Sequence, residues 1–213
     1  MQPGAALTLF DGRGGQYAAT LADVGKKSAS ALVGAFEDVD VELPYAVTLA
    51  QGLPEGSKMD WIIEKAVELG VAAVQPLAAQ RSVVRLAGER AEKRHAHWLG
   101  VIEAASEQCG RNRLAQLSPV ADYRRWLAEP GAAPSPRVLL SPRADSSLAQ
   151  WAQASGPQAL TLVVGPEGGF TREEEDAAVA SGALMLSIGP RVLRTETAAL
   201  AALALLGGVW GGM

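Results

Sequence analysis

Two short segments rich in glycine and proline hold the residues of this chain best placed to do chemistry: Gly165-Pro166-Glu167-Gly168-Gly169-Phe170 and Gly189-Pro190-Arg191-Val192-Leu193-Arg194. Glycine lets a backbone come close to a ligand and take positive φ, and proline stiffens the turn by fixing φ. Each segment follows an apolar run and precedes helix-forming sequence, so free helix-start amides would face anything bound there. The chemistry this suits is ligand binding by main chain and apolar walls. A Walker loop is excluded because no Gly-Lys-Ser/Thr follows, and a dinucleotide fingerprint because the Gly-x-Gly-x-x-Gly order is missing. Ordinary turns are the plain alternative. The parallel wording of "VVGPEGGF" and "SIGPRVLRTET" weighs against it.

A second group sits in "EQCGRNR", where Glu107, Gln108, Arg111 and Arg113 lie at a helix end. Arginines beside polar residues suit phosphate or base contacts; the bland reading has them pairing with the last helix carbonyls. Arg81 and Arg143 are weaker candidates of the same kind, and Lys26-Lys27 is a solvated turn that could also meet phosphate. His95 and His97 fall on different sides of a helix, so a metal site is not expected, and they read as surface residues. With two histidines and no Gly-x-Ser-x-Gly, a hydrolase triad has no support.

These loops need a scaffold, and the pattern supplies one. Ala5–Phe10, Gln16–Ala22 and Ser28–Ala35 read as short strands separated by turn signals, with a boundary near Asp40–Pro44. From Tyr45 the texture becomes alternating strand and helix. Tyr45–Ala50 and Val71–Leu77 are strand candidates around a helix capped by Ser57, running to Leu69 and ended by Gly70; its apolar residues Met59, Ile62, Ile63, Ala66 and Val67 fall at helical spacing. A long helix spans Gly88 to Cys109, with Trp98, Val101, Ile102 and Ala105 on its apolar face. Arg137–Ser141, Ala159–Val164 and Ala183–Ile188 are further strands, each followed by a helix candidate, and Pro130–Pro136 is a Pro/Ala loop. Thr171 with Glu174 spells a capping box, and Thr195 reads as the cap of the final helix. Repeated strand–helix units imply a mostly parallel α/β sheet, and in such sheets ligands gather where strands end and helices begin.

Composition sets outer bounds. Of 213 residues, 48% are hydrophobic and 20% charged, enough for a packed core and against disorder as the main state. The net charge of −4 excludes a general basic coat, so nucleic-acid contacts must be local. The single cysteine, Cys109, can form no intrachain disulfide, which fits a reducing, cytoplasmic setting; it reads as a small buried residue. The first ten residues lack signal-peptide character. The apolar run Ala198–Trp210 is shorter than the ~20 residues a membrane span takes, so burial in the core or against a second subunit is expected.

"LVVGPEGGFTREEEDAA", "LSIGPRVLRTETAALAAL", "GSKMDWIIEKAVELGV" and "ASEQCGRNR" occur in order over about Ala46 to Leu206, and together they resemble the RsmE family of ribosomal RNA methyltransferases. The resemblance implies an α/β SPOUT catalytic domain over 43–213 whose C-terminal chain threads a trefoil knot. It also implies a truncated PUA-like small β-barrel over 1–42 that docks RNA. The implied activity is transfer of a methyl group from S-adenosylmethionine to N3 of a uridine in 16S ribosomal RNA, within the small subunit, by a homodimer needing no metal and no membrane. Carried over by position, Gly165, Pro166, Glu167, Gly168, Gly169, Ile188, Gly189, Val192, Leu193, Arg194, Thr197 and Ala198 are cofactor-side residues, with Leu140 closing the pocket. The resemblance also sets the "EQCGRNR" segment near the active site.

A sulfonium methyl is already activated, so the enzyme must align it and exclude water. Uracil N3 must lose its proton, and negative charge then spreads over the ring. Arg194 is the expected stabiliser of that charge, and Glu196 is either the base or a helix-start acid orienting Arg194. The target edge must be unpaired, so the base is splayed out or single-stranded. Two rival readings stay open: a non-catalytic RNA- or nucleotide-binding module in ribosome assembly, and a SPOUT methyltransferase with another RNA target.

Overall fold

The computed structural model describes residues 1–129 and 135–212. Residues 130–134 of the expected Pro/Ala loop lie outside the described residues. The chain divides into two compact units, one made of Met1–Glu42 with Ser106–Leu114 and the other of Leu43–Ala105 with Ala115–Met213. The sequence reading assigned 106–114 to the second unit. They fold with the first through bonds to Gly12, Gly14, Val39 and Glu42, partners too distant in sequence for local spacing to reveal.

The first unit is a three-stranded antiparallel sheet of β1 (Ala6–Leu9), β2 (Gln16–Val24) and β3 (Ala29–Glu37), in that order. The Asp11–Gly15 turn joins the first two strands, and the Asp11 carboxylate accepts from the Arg13 amide at 2.9 Å. That turn also carries 106–114: the Gly14 amide donates to the Asn112 carbonyl at 3.1 Å and the Leu114 amide to the Gly12 carbonyl at 3.0 Å. Arg111 is buried and donates through Nε to Glu42 at 2.9 Å, and the Asn112 amide donates to the Val39 carbonyl at 2.7 Å.

The second unit holds the chemistry. In chain order its elements are β4 (Val47–Gly52), α1 (Lys58–Glu68), β5 (Ala73–Ala78), α2 (Gly88–Cys109, whose last turn counts with the first unit), β6 (Gln116–Leu117), β7 (Ala121–Asp122), α3 (Tyr123–Ala128), β8 (Arg137–Leu140), α4 (Leu148–Ser155), β9 (Leu160–Val164), α5 (Arg172–Ala180), β10 (Leu184–Leu186) and α6 (Thr195–Trp210). The sheet runs β10-β8-β9-β4-β5-β6, with β7 also pairing β5, and every strand pair is parallel. Parallel strands are covered on both faces, which explains why Val47, Leu49, Val74, Leu77, Val138, Leu139, Leu162 and Val163 are all buried.

The helices form for local reasons. α1 buries Met59, Ile62, Ile63, Ala66 and Val67, the expected stripe. Ser57 does stand at its N-cap, but its side chain makes no capping hydrogen bond, contrary to the expectation. α5 begins with the full capping box: the Thr171 hydroxyl accepts from the Glu174 amide at 3.2 Å and the Glu174 carboxylate accepts from the Thr171 amide at 2.9 Å. α6 starts one residue earlier than a Thr195 cap requires. Arg194 is the N-cap and Thr195 is the first helical residue, so its hydroxyl is free for another task. α6 packs on α1 and α4 and ends at Trp210, whose indole donates to the Ala152 carbonyl at 2.7 Å.

Among the described residues no helix is long and apolar enough to cross a membrane, and no group of three or more His, Cys, Asp or Glu converges on one point. His97 meets Asp60 at 2.9 Å and His95 meets the Leu117 carbonyl at 3.2 Å, so both are engaged within the fold. Cys109 is half-buried rather than buried.

Candidate active site

The strand order creates the site. β9 and β10 follow one another in the chain, yet β8 lies between them in the sheet. The segments leaving β9 and β10 therefore flank the segment leaving β8, all at the carboxyl edge of the sheet. That crossover makes a crevice of the kind where α/β folds bind ligands. A cavity of about 260 Å³ opens there, lined by three stretches: Leu140–Arg143 after β8, Val164–Phe170 after β9, and Ile188–Leu193 after β10 apart from Pro190. Arg81, Glu175, Thr195 and Ala198 complete its wall. The volume is near the lower end of the ~300–1,000 Å³ typical of small-molecule pockets.

Of the expected cofactor-side residues, Leu140, Gly165, Pro166, Glu167, Gly168, Gly169, Ile188, Gly189, Val192, Leu193 and Ala198 line this one cavity. Arg194 and Thr197 do not line it, although both sit in the turn that starts α6 beside lining residues. Glu196 is also off the wall. It is half-buried, and its Oε2 is buried without a hydrogen-bond partner among the described residues. Two glycines need the conformations they have: Gly169 at φ +65° and Gly189 at φ +135° lie in the region that disfavours side chains, and a Cβ on either would enter open space.

The Gly165–Phe170 loop is held in place from several directions. Phe170 is buried and stacks on Tyr123 at 4.5 Å between ring centroids. The Thr195 hydroxyl donates to the Gly165 carbonyl at 2.5 Å and accepts from the buried Gln51 amide at 2.8 Å. One threonine thus joins the start of α6 to the loop after β9 and to the end of β4. Arg81 donates to the Gly168 carbonyl at 2.9 Å, so this expected RNA contact is engaged in shaping the loop. β4 comes very close: a Cβ on Gly52 would lie 2.6 Å from both Cδ and N of Pro166.

The β8–α4 connection is fixed by a carboxylate. Glu175 is buried, accepts from the Ser141 hydroxyl at 3.0 Å and from Arg143 Nε at 3.0 Å, and forms an ion pair with the Arg143 guanidinium. Arg143, another expected RNA contact, therefore has an internal partner while its side chain stays about half exposed. The remaining RNA candidates belong to the first unit. Glu107, Gln108 and Arg113 are exposed there, and Arg113 lies 3.9 Å from Asp40. Arg111 is spent on its ion pair with Glu42.

Sequence reading missed Gln51, Gly52, Lys58, Ser141 and Glu175. Nothing in their local sequence marks them, because each acts on a partner far along the chain. Only the phrase "GSKMDWIIEKAVELGV" drew attention to the neighbourhood of Lys58.

The model of the RNA methyltransferase domain family matches residues 41–207. Ribosomal RNA small subunit methyltransferase E of Bacillus subtilis is 35% identical over 191 residues, which cover 87% of this chain and 75% of that protein. A crystal structure of the enzyme of that name from Neisseria gonorrhoeae, bound to S-adenosylmethionine, is 36% identical with a TM-score of 0.89, covering 99% of this chain and 85% of that one. A Legionella pneumophila protein described as a methyltransferase, also with bound cofactor, is 35% identical with a TM-score of 0.91, covering 98% of this chain and 84% of that one.

Proposed function

The chain belongs to the RNA methyltransferase family that contains ribosomal RNA small subunit methyltransferase E, and from that membership we propose that it methylates N3 of a uridine in 16S ribosomal RNA with S-adenosylmethionine as donor. The observation that carries this reading is that the two glycine loops wall one and the same cavity at the carboxyl edge of the sheet.

The residues present fit that donor. Leu140, Ile188 and Leu193 offer the apolar slot an adenine ring needs, and the open faces of Gly169 and Gly189 let main chain approach it. When bound, S-adenosylmethionine supplies an activated methyl group. The chain supplies the rest. The loops around Gly165 and Gly189 hold the donor in one orientation, and the apolar wall keeps water from the reacting edge. Arg194, exposed at the start of α6 beside Leu193, stabilises the negative charge that spreads over the uracil as its N3 proton leaves. Glu196 lies in the first turn of the same helix. A carboxylate in that turn meets the positive end of the helix dipole, and this role is favoured over one as proton acceptor.

The finer assignments follow the same reading. The crossover β9–β10 past β8 is the part of the chain that forms a trefoil knot in a SPOUT domain. Residues 1–42 act as a PUA-like RNA-docking unit, with Glu107, Gln108 and Arg113 on the substrate side. The outer face of α6, with Leu200, Ala201, Ala204, Leu205 and Val209 only partly buried, together with the exposed Trp61 on α1, packs against a second copy to give a homodimer. The site of action is the cytoplasm.

The test is direct. Small ribosomal subunits lacking the modification, incubated with the protein and labelled donor, should yield 3-methyluridine at one position on nuclease digestion and mass spectrometry. A ribose-methylated nucleotide in its place would assign a different target, and no transfer to any RNA would favour a binding module.

A further inference from the structure

The Gly165–Phe170 loop is held from outside the cavity as well as from within. Glu167 lines the cavity, but its Oε1 accepts from Lys58 Nζ at 2.6 Å and from the Glu55 amide at 3.0 Å. Neither Lys58 nor Glu55 belongs to the cavity wall. Lys58 is the first residue of α1, and α1 follows β4, the strand whose Gly52 touches Pro166. We propose that Lys58, acting through Glu167, is a positioning residue for the methyl-donor cavity, pinning the loop after β9 to the start of α1 so that the cavity keeps its shape before ligand arrives. This rests on the reading of that cavity as the S-adenosylmethionine site.

The charges around the pair explain why a cation is needed. Glu55 and Glu196 also act on Lys58 and, with Glu167, raise its pKa, the hydrogen bond that Lys58 donates to Glu167 contributing most. Burial works against the Glu167 carboxylate, but the hydrogen bonds from Lys58 and the Glu55 amide more than offset it and hold its pKa below the ordinary value. Without the ammonium, the Glu167 carboxylate loses the partner that ties its loop to α1, and the Glu55 and Glu196 carboxylates lose a cation that they share with it. Glu167 is the one carried on the loop that walls the cavity.

The pair is not there for bulk stability. Both side chains are about one-third exposed, 34% for Lys58 and 32% for Glu167, and ion pairs this open are screened by water and salt and contribute little to folding. What two donors on one carboxylate oxygen do provide is a fixed position for the residue that bears it. A small misplacement of a binding loop can cost far more in function than an exposed ion pair contributes to folding.

The experiment measures S-adenosylmethionine affinity by calorimetry, together with the melting curve and the single-turnover methylation rate at saturating donor. Lys58→Met is expected to weaken donor binding roughly tenfold, to move the melting midpoint little, and to keep the saturated rate within about threefold of the starting protein. Lys58→Arg should recover most of the affinity. Glu167→Gln combined with Lys58→Met should bind no worse than Lys58→Met alone, because the two changes remove one shared contact. Affinity of Lys58→Met within about twofold of the starting protein, or losses that multiply in the double variant, would overturn the proposal. Should Lys58→Met fold poorly, Lys58→Gln, which keeps a polar side chain but removes the charge, decides it by the same tenfold and twofold limits, with Lys58→Arg as the rescue. An unmodified protein that does not bind the donor at all overturns the reading of the cavity instead.

Discussion

Arg194→Ala is expected to slow methyl transfer by roughly 10²–10³-fold at saturating donor and RNA, while donor affinity stays within about threefold. The size follows from what one fixed charge or donor is worth when it meets charge that develops only in the transition state, about 2.7–4 kcal/mol. The structure makes the separation of the two effects possible. Arg194 is the N-cap of α6 with an extended backbone (φ −64°, ψ 153°), and its side chain is exposed and not part of the cavity wall. The backbone carbonyl of Arg194 already accepts from the Ala198 amide at 2.8 Å, so truncating the side chain leaves the helix start intact. The neighbouring Leu193 and Thr195, which do line the cavity, keep their places. Single-turnover kinetics read the loss without interference from product release, and full activity in the alanine variant would remove Arg194 from the mechanism.

The second large effect is structural in origin. Gly52→Ala adds one methyl group at the end of β4, where a Cβ would lie 2.6 Å from Pro166 Cδ, 2.6 Å from Pro166 N and 3.0 Å from the Gly165 carbonyl carbon. Those atoms are main chain and a rigid ring, so neither can rotate out of the way. The whole turn after β9 must back off from β4, although β4 and β9 are paired up to Gln51↔Val164. Overpacking of this kind costs about 1–3 kcal/mol, which a urea midpoint should show. The displaced loop is also the wall of the donor cavity, and a misplacement approaching 1 Å can cost about 10²-fold in catalysis. The alanine variant should therefore lose donor affinity and turnover together, unlike Arg194→Ala. An unfolding midpoint and a donor affinity equal to those of the starting protein would show that the close approach of β4 to Pro166 is unimportant.

Features that depend on local spacing could be read from the chain. The stripe of Met59, Ile62, Ile63, Ala66 and Val67 fell on the buried face of α1, and Thr171 with Glu174 made the capping box that their spacing spells. The two glycine–proline segments proved to wall one cavity. The elements missed, β6, β7 and α3, are two, two and six residues long, too short to show a period. Long-range pairings were also invisible. Thr195 looks like a cap in sequence, but its hydroxyl bridges Gly165 and Gln51, 30 and 144 residues away. Arg111 looks available for RNA, yet it is buried against Glu42, 69 residues away. Strand order cannot be derived from periodicity at all, and it is the placement of β8 between β9 and β10 that turns two separate turns into one site.

That placement gives the account its sharpest test. Crystals grown with S-adenosylmethionine, or with its demethylated product, should show the ligand over the carboxyl end of β8, between the segments Gly165–Phe170 and Gly189–Arg194, with its adenine against Leu140, Ile188 and Leu193. Ligand density anywhere else on the protein, with that cavity empty at saturating concentration, would contradict it.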